Sequence, residues 1–287
     1  MLIETHAHLD YPDFAPDFDD VLRRATEAGV TRIITIGTSV ESSRRAIELA
    51  EKYPNIFAVI GVHPTYATEA EHDVITPLRE LAKNPRVVAM GEIGLDYHRL
   101  PSIEAAKQKH VQVFNALQSE TEDQLEASIE DGAYKSKQAE LFEQLLDLAI
   151  ELKMNVVIHQ RDAWNDTLEI LRGYGRQISG VFHCFGGSLE QANEVIGLGH
   201  FISFTGIVTF KNGKQVRDVA AQVGLNEFMV ETDCPYLAPV PFRGKRCEPA
   251  YTRLVAEEIA KARRISLEEI AGATTATAEQ FFRFNRK

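Results

Sequence analysis

Two histidines one residue apart, His6 and His8, follow the apolar opening Met1-Leu2-Ile3. On an extended segment residues two apart point the same way, so both imidazoles can converge on one metal ion. By itself such a pair is a weak signal. It gains weight because four later segments close in the same manner, an apolar run ending on a metal-capable side chain. These are 87–90 with Glu92, 156–158 with His159, Val181-Phe182 with His183, and 228–230 with Asp233. A single histidine at a strand end is more often a hydrogen-bonded core or surface residue than a ligand. Six such residues at the ends of five predicted strands make a constellation.

His6, His8, Glu92, His159, His183 and Asp233 offer only nitrogen and oxygen donors, a mixture suited to Zn, Mn, Mg or related divalent cations. Two ions need a bridging carboxylate, and Glu92 stands mid-set. The expected partition gives His6, His8, Glu92 and Asp233 to one ion, and Glu92, His159 and His183 to the other. Two cations roughly 3.5–4 Å apart would clamp the attacking and leaving oxygens of a phosphate. Asp233 is expected to orient the attacking water and accept its proton. His63, in Gly61-Val62-His63-Pro64, shares the strand-end placement and is expected to contact substrate or support a ligand. Asp96 follows Glu92 closely and either orients a ligand histidine or shapes a turn. Beyond Asp233, Arg243, Lys245 and Arg246 form a basic loop suited to phosphate oxygens. Charge alone would equally allow a solvated surface loop; position favours substrate. His72, His98, His110 and His200 lack the strand-end placement and read as surface or helix residues.

The elements that must position these residues read as strand then helix, repeated. Strands are predicted at 1–5, 32–36, 56–60, 87–90, 155–158, 178–182, 201–204 and 227–230. Helical patterns cover 18–28, a segment ending at Lys52 and capped by Ser39 or Ser42, 76–83, 137–152, 163–171, 189–198, 215–223 and 250–262. A last helix, 266–284, is expected to pack Phe281 and Phe282 on the body. Eight such units predict a TIM-like (β/α)8 barrel, a single domain over 1–287, with strand ends facing one mouth. An open doubly wound sheet is the alternative, but no GxGxxG follows the first strand and no composition break suggests a linker. Between strands 4 and 5 lies an enlarged helical insertion, about 102–134: a helical run over 102–118, then an acidic polar stretch over 119–134. A lid, an oligomer contact or a hairpin on the outer wall would each fit, and its acidity favours solvated surface.

The 287 residues are 44% hydrophobic and 25% charged, ordinary for a globular protein with a sizeable core. No apolar run approaches a membrane span, and no secretory signal is visible. Cys184, Cys234 and Cys247 are scattered, which suits a reducing cytoplasm. The net charge of −11 argues against a broad nucleic-acid-binding face but leaves room for a local basic site.

Several segments together resemble the TatD family of metal-dependent hydrolases, within the amidohydrolase superfamily. They are Glu4-Thr5-His6-Ala7-His8-Leu9-Asp10, Gly61-Val62-His63-Pro64, Gly91-Glu92-Ile93-Gly94-Leu95-Asp96-Tyr97, His159 with Arg161-Asp162-Ala163, His183-Cys184-Phe185-Gly186-Gly187, and Glu231-Thr232-Asp233-Cys234-Pro235 continuing through Arg246. The resemblance runs nearly end to end. It implies a TIM-like barrel, two divalent metals on the six ligands, and hydrolase activity, in a family whose members are described as DNases, often 3′-5′ exonucleases, and some as D-aminoacyl-tRNA deacylases. The chain departs from the family pattern in the length of the 102–134 region and in Cys247, where members commonly carry Asn. The expectation is a cytoplasmic hydrolase cleaving phosphodiester bonds of DNA, with no membrane and no obligate protein partner. A D-aminoacyl-tRNA deacylase, a small-molecule amidohydrolase and a non-catalytic metal-binding scaffold are the alternatives. A structural metal site, however, usually closes on four ligands without a bridging carboxylate.

Overall fold

The computed structural model describes residues 1–70, 73–104 and 120–284, the stretch 120–126 as backbone. Eight parallel strands follow one another around a single sheet in chain order: β1 Leu2–Ala7, β2 Val30–Ile36, β3 Ile56–Ile60, β4 Val87–Asp96, β5 Val156–Arg161, β6 Gly180–Phe182, β7 Phe201–Phe204 and β8 Phe228–Val230. The first and last meet beyond the end of β8, where Ala7 bridges Cys234, His8 N–H donates to the Cys234 carbonyl at 2.8 Å and Asp233 N–H to the His6 carbonyl at 2.9 Å. The sheet is a (β/α)8 barrel, and the open-sheet alternative is excluded by this closure.

Between the strands run α1 Phe18–Glu27, α2 Val40–Lys52, α3 Ile75–Leu81, α4 Glu120–Glu151, α5 Trp164–Tyr174, α6 Leu189–Gly197 and α7 Lys214–Gln222; α8 Thr252–Arg263 and α9 Leu267–Phe282 follow β8. Ser39 caps α2 by accepting from Ser42 N–H at 3.1 Å. Ser266 and Glu269 form a reciprocal capping box at the start of α9.

Strand side chains alternate between two cores. One set, including Leu2, Ile33, Ile56 and Ile158, packs outward on the helices. The other, including Ile3, Ile34, Val59, Val157 and Met229, fills the barrel, and α9 adds Phe281 and Phe282 to that inner cluster. The last helix therefore contributes to the barrel interior, a closer engagement than packing on the body.

The acidic stretch before β5 is helical from residue 120 onward, in keeping with a helical insertion. It is the first half of α4, a helix of 32 residues and about 48 Å. The reason is composition: Glu, Gln, Ala and Lys are strong helix formers, and acidity disfavours burial, not helicity. Residues 128–130 are exposed, while Leu141, Phe142, Leu145 and Leu146 are buried. Gln138, fully buried on α4, accepts from Asp96 N–H at 2.8 Å and donates to the Asp96 carbonyl at 3.0 Å. The helix thus fixes the end of β4. Residues 105–119, which hold most of the expected helical run, and His72 and His110 lie outside the described residues. Among the described residues, no helix is long and apolar enough to cross a membrane.

Candidate metal centre at the barrel mouth

Strand pairing slips between Glu4 and Ala7 on β1 and between Met90 and Ile93 on β4, as it also does at Leu2/Ile3 and Ala58/Val59. Such irregularities re-aim side chains, and the first two fall on His6 and Glu92. Gly94, at φ 143°, lets β4 lie close on β5, because a Cβ there would collide with the His159 carbonyl oxygen. Asp233 adopts φ 60°, a left-handed conformation that Asp tolerates better than most residues, just as the chain leaves β8.

The buried Glu92 divides the histidines between its two oxygens. Oε1 lies 2.5 Å from His159 Nδ1, 2.7 Å from His183 Nε2 and 3.8 Å from His63 Nε2. Oε2 lies 3.5 Å from His6 Nε2 and 3.9 Å from His8 Nε2. Asp233 Oδ1 stands 3.7 Å and 3.4 Å from the same two nitrogens. Three sets of donor atoms are each compact enough to surround an ion: His6 with His8 and Asp233, His6 with Glu92 and His183, and His63 with Glu92 and His159. The structure brings all six expected ligands together and adds His63, expected as a substrate contact, at ligand distance.

Supporting groups fix the rings. His8 Nδ1 faces the Ile36 carbonyl at 3.3 Å, leaving Nε2 toward the carboxylates. Asp96 Oδ2 lies 3.3 Å from His159 Nε2, opposite the nitrogen that meets Glu92. Glu231 Oε1 accepts from Cys184 N–H at 2.7 Å and stands 3.6 Å from His183 Nδ1. Glu4 accepts from His6 N–H at 2.9 Å and Thr232 N–H at 3.0 Å, while its other oxygen meets the Thr252 hydroxyl. Burial pushes the Glu4 carboxyl up to about 8. Because the Thr252 hydroxyl also lies 2.7 Å from the Pro249 carbonyl, it can donate there and accept from a neutral Glu4.

Burial opposes the charge of both central carboxylates, but the imidazoles win. Glu92 is held well below the usual range by His183, His63, His159 and His6, and Asp233 is lowered to about 2 by His8, His6 and His183. Burial and the neighbouring His159 lower His63 to about 3. Both ring nitrogens of His6 are buried without a hydrogen-bond partner, as is His183 Nδ1. An unpartnered buried polar atom is costly and rare. Imidazoles and ionised carboxylates converging with unsatisfied nitrogens therefore fit divalent cations.

Residues 3–283 match the family model described as TatD related DNase. The chain belongs to the TatD family. The uncharacterized metal-dependent hydrolase YabD of Bacillus subtilis is 37% identical over 286 residues, covering 99% of this chain and 100% of that protein. The 3′-5′ ssDNA/RNA exonuclease TatD of Citrobacter rodentium is 31% identical over 287 residues, covering 98% and 97%. The crystal structure of YjjV, a TatD homolog from Escherichia coli K12, matches with a TM-score of 0.82 at 28% identity, over 98% of each chain. This TatD-family chain is a metal-dependent hydrolase.

In this TatD-family hydrolase the clustered ligands line a cavity of about 520 Å³. A larger groove of about 750 Å³, beside α1 and α2, contains none of them. The basic loop is not brought into the ligand cavity. Arg246 is drawn to Asp17, with its two terminal nitrogens at 2.7 and 2.8 Å from the carboxylate oxygens, and its guanidinium lies 5.1 Å from the Phe14 ring. Arg243 packs 3.7 Å over Phe210, and Lys245 lies 5.9 Å from Phe242; both side chains belong to exposed residues. Instead, Arg161 and Arg99 line the cavity. Arg161 was missed although its signal was present: two residues beyond His159 on one strand, it shares that residue's face. Among the described residues no carboxylate lies within ion-pair distance of it. Glu4 and Glu231 were also missed, each two residues before a ligand at a strand end. His200, expected at the surface or on a helix, is buried, where Nδ1 accepts from Gly180 N–H at 3.0 Å. His98 is exposed and lies 2.8 Å from Asp162.

Proposed function

We propose that this TatD-family hydrolase is a 3′-5′ exodeoxyribonuclease, a single barrel domain over 1–287 that uses two divalent cations per subunit, Mg, Mn or Zn. The observation that carries the phosphodiester reading is Arg161, a cation lining the ligand cavity with no carboxylate partner among the described residues. Burial disfavours its charge, yet Cys184, Asp233, Glu92 and Asp96 hold its pKa above the ordinary value. An anionic substrate supplies the partner that the protein does not. The name of the Citrobacter relative supports a nucleic-acid end.

His6, His8 and Asp233 would hold one cation and His63, His159 and His183 the other, with Glu92 between them. When bound, divalent cations make water nucleophilic at neutral pH and neutralise charge developing on a phosphate. Arg161 grips non-bridging oxygens through its planar fork. Asp233, ionised at neutral pH, orients the attacking water and accepts its proton as the new O–P bond forms. The P–O3′ bond breaks, the 3′ oxygen takes a proton from solvent, and a 5′-mononucleotide leaves. Asp96 and Glu231 keep His159 and His183 oriented throughout. Three buried, unpaired thiols suit a reducing cytoplasm.

The test is chelation and reloading with each metal, followed by assays on 5′-labelled and 3′-labelled single-stranded oligonucleotides beside D-aminoacyl-tRNA. Metal-dependent release of 5′-mononucleotides from the 3′ end is expected. Deacylation of D-aminoacyl-tRNA with intact DNA would replace this reading by ester hydrolysis.

A further inference from the structure

Two large side chains stand exposed at the cavity that holds the ligands, Tyr66 at 41% and Tyr236 at 54% exposure. Each comes three residues after a clustered group, His63 in one case and Asp233 in the other. Local structure fixes both. Tyr66 ends the short turn Pro64–Tyr66, whose Thr65 N–H donates to His63 Nδ1 at 3.2 Å. Tyr236 N–H donates to the Asp233 carbonyl at 3.0 Å. Their ring contacts are edge-on: Tyr66 meets His63 at 6.4 Å and 73°, and Tyr236 meets Tyr11 at 6.2 Å and 82°. Among the described residues neither has a stacked ring partner. Tyr11 differs, since it stacks on His8 at 4.9 Å and 21°.

A nucleotide presents an anion and a flat π-face joined by a sugar. The cavity presents their counterparts: Arg161 with the ligand cluster inside, and unstacked phenol rings at the edge. We infer that Tyr66 and Tyr236 form a stacking subsite for the base of the terminal nucleotide, while its phosphate lies at Arg161. The inference rests on the nuclease reading and deepens it. Stacking is tolerant of base identity but requires a base free of its duplex neighbours. The subsite thus selects an unpaired end and accepts any of the four bases.

The metal-reconstituted enzyme is assayed on single-stranded oligonucleotides carrying either an intact or an abasic 3′-terminal nucleotide. Wild type is expected to show a KM about tenfold higher on the abasic substrate, the order that loss of one stacked base produces. In Tyr66→Ala/Tyr236→Ala that ratio falls toward one, whereas Tyr66→Phe/Tyr236→Phe keeps it. A 3′-terminal 2-aminopurine, bound to chelated protein, is quenched by wild type and by the Phe variant but not by the Ala variant. Circular dichroism verifies that the Ala variant is folded. An unchanged KM ratio with full quenching in the Ala variant overturns the stacking subsite and leaves the nuclease standing. A wild-type enzyme that cleaves neither oligonucleotide removes the nuclease reading, and the subsite falls with it.

Discussion

Replacing Arg161 by Gln separates the cation that lines the cavity from the cations that sequence position alone favoured. Arg161 Nη1 donates to the Gln160 carbonyl at 2.7 Å, and the guanidinium has no ion pair among the described residues. Its removal therefore breaks no salt bridge there. What it removes is a charged hydrogen bond to phosphate, a contribution of about 1.5–3 kcal/mol. That corresponds to a fall of about 10- to 150-fold in kcat/KM on a single-stranded oligonucleotide. Arg161→Lys should recover part of the loss, because it restores charge without the bidentate fork. Metal content, measured by mass spectrometry, should stay at the wild-type value.

Arg246→Gln is the matched comparison. Arg246 is committed to Asp17, whose carboxyl it and Arg24 hold well below the usual range. Losing that pair should lower the unfolding midpoint modestly and leave kcat/KM near wild type. The reasoning is refuted if Arg161→Gln retains wild-type kcat/KM with full metal content while Arg246→Gln loses activity without losing stability. That outcome would return the phosphate contact to the loop.

Other consequences are open to direct measurement. Glu92→Gln should disrupt both metal positions while circular dichroism remains that of a folded barrel; full metal occupancy with wild-type turnover would exclude a bridging role. Asp233→Asn should lower kcat by a large factor even in protein that retains metal, since it removes the proton acceptor; an unchanged kcat in loaded protein would reassign that role. Arg243→Ala/Lys245→Ala, outside the ligand cavity, should leave the salt slope of single-strand binding unchanged, and a slope reduced by about 0.7 for each residue would mark lost phosphate contacts. His200, pushed down to about 4 by burial, has a folded-state pKa below its ordinary 6.5, so its contribution is complete above pH 6.5 and lost as pH falls toward 4. The difference is worth about 3 kcal/mol; urea unfolding at pH 7 and pH 4.5 should show His200→Gln with a shallower acid loss than wild type, and parallel losses would contradict this.

The ligand constellation was legible because parallel strands are short apolar runs and the barrel puts every C-terminal strand end at one mouth. His159 and His183 needed only that rule. The aim of His6 and Glu92 was not legible, because it follows from slipped pairing on β1 and β4, which leaves no signature in hydrophobic pattern. The basic loop shows what position in the chain leaves out. Three cations close in sequence to Asp233 seemed aimed at substrate, but partners distant in sequence decide where they point: Asp17 for Arg246 and Phe210 for Arg243. The first half of α4 is helical and acidic together, because charge marks exposure and leaves helix propensity intact.

The residues least visible in the sequence join the site to the closure of the barrel. His6 and Asp233 are far apart in the chain, and they meet only because β8 returns to β1. Glu4 lies on that seam with each of its contacts serving a different element: His6 N–H on β1, Thr232 N–H just after β8, and Thr252 at the start of α8. Asp233 N–H then donates to the His6 carbonyl, so the backbone hydrogen bond that helps close the barrel also sets the spacing between two ligand-bearing residues. A change that loosens this seam moves His6 relative to Asp233 without touching either side chain. Closure and the spacing of His6 from Asp233 are therefore coupled through Glu4, a residue outside the proposed ligand set.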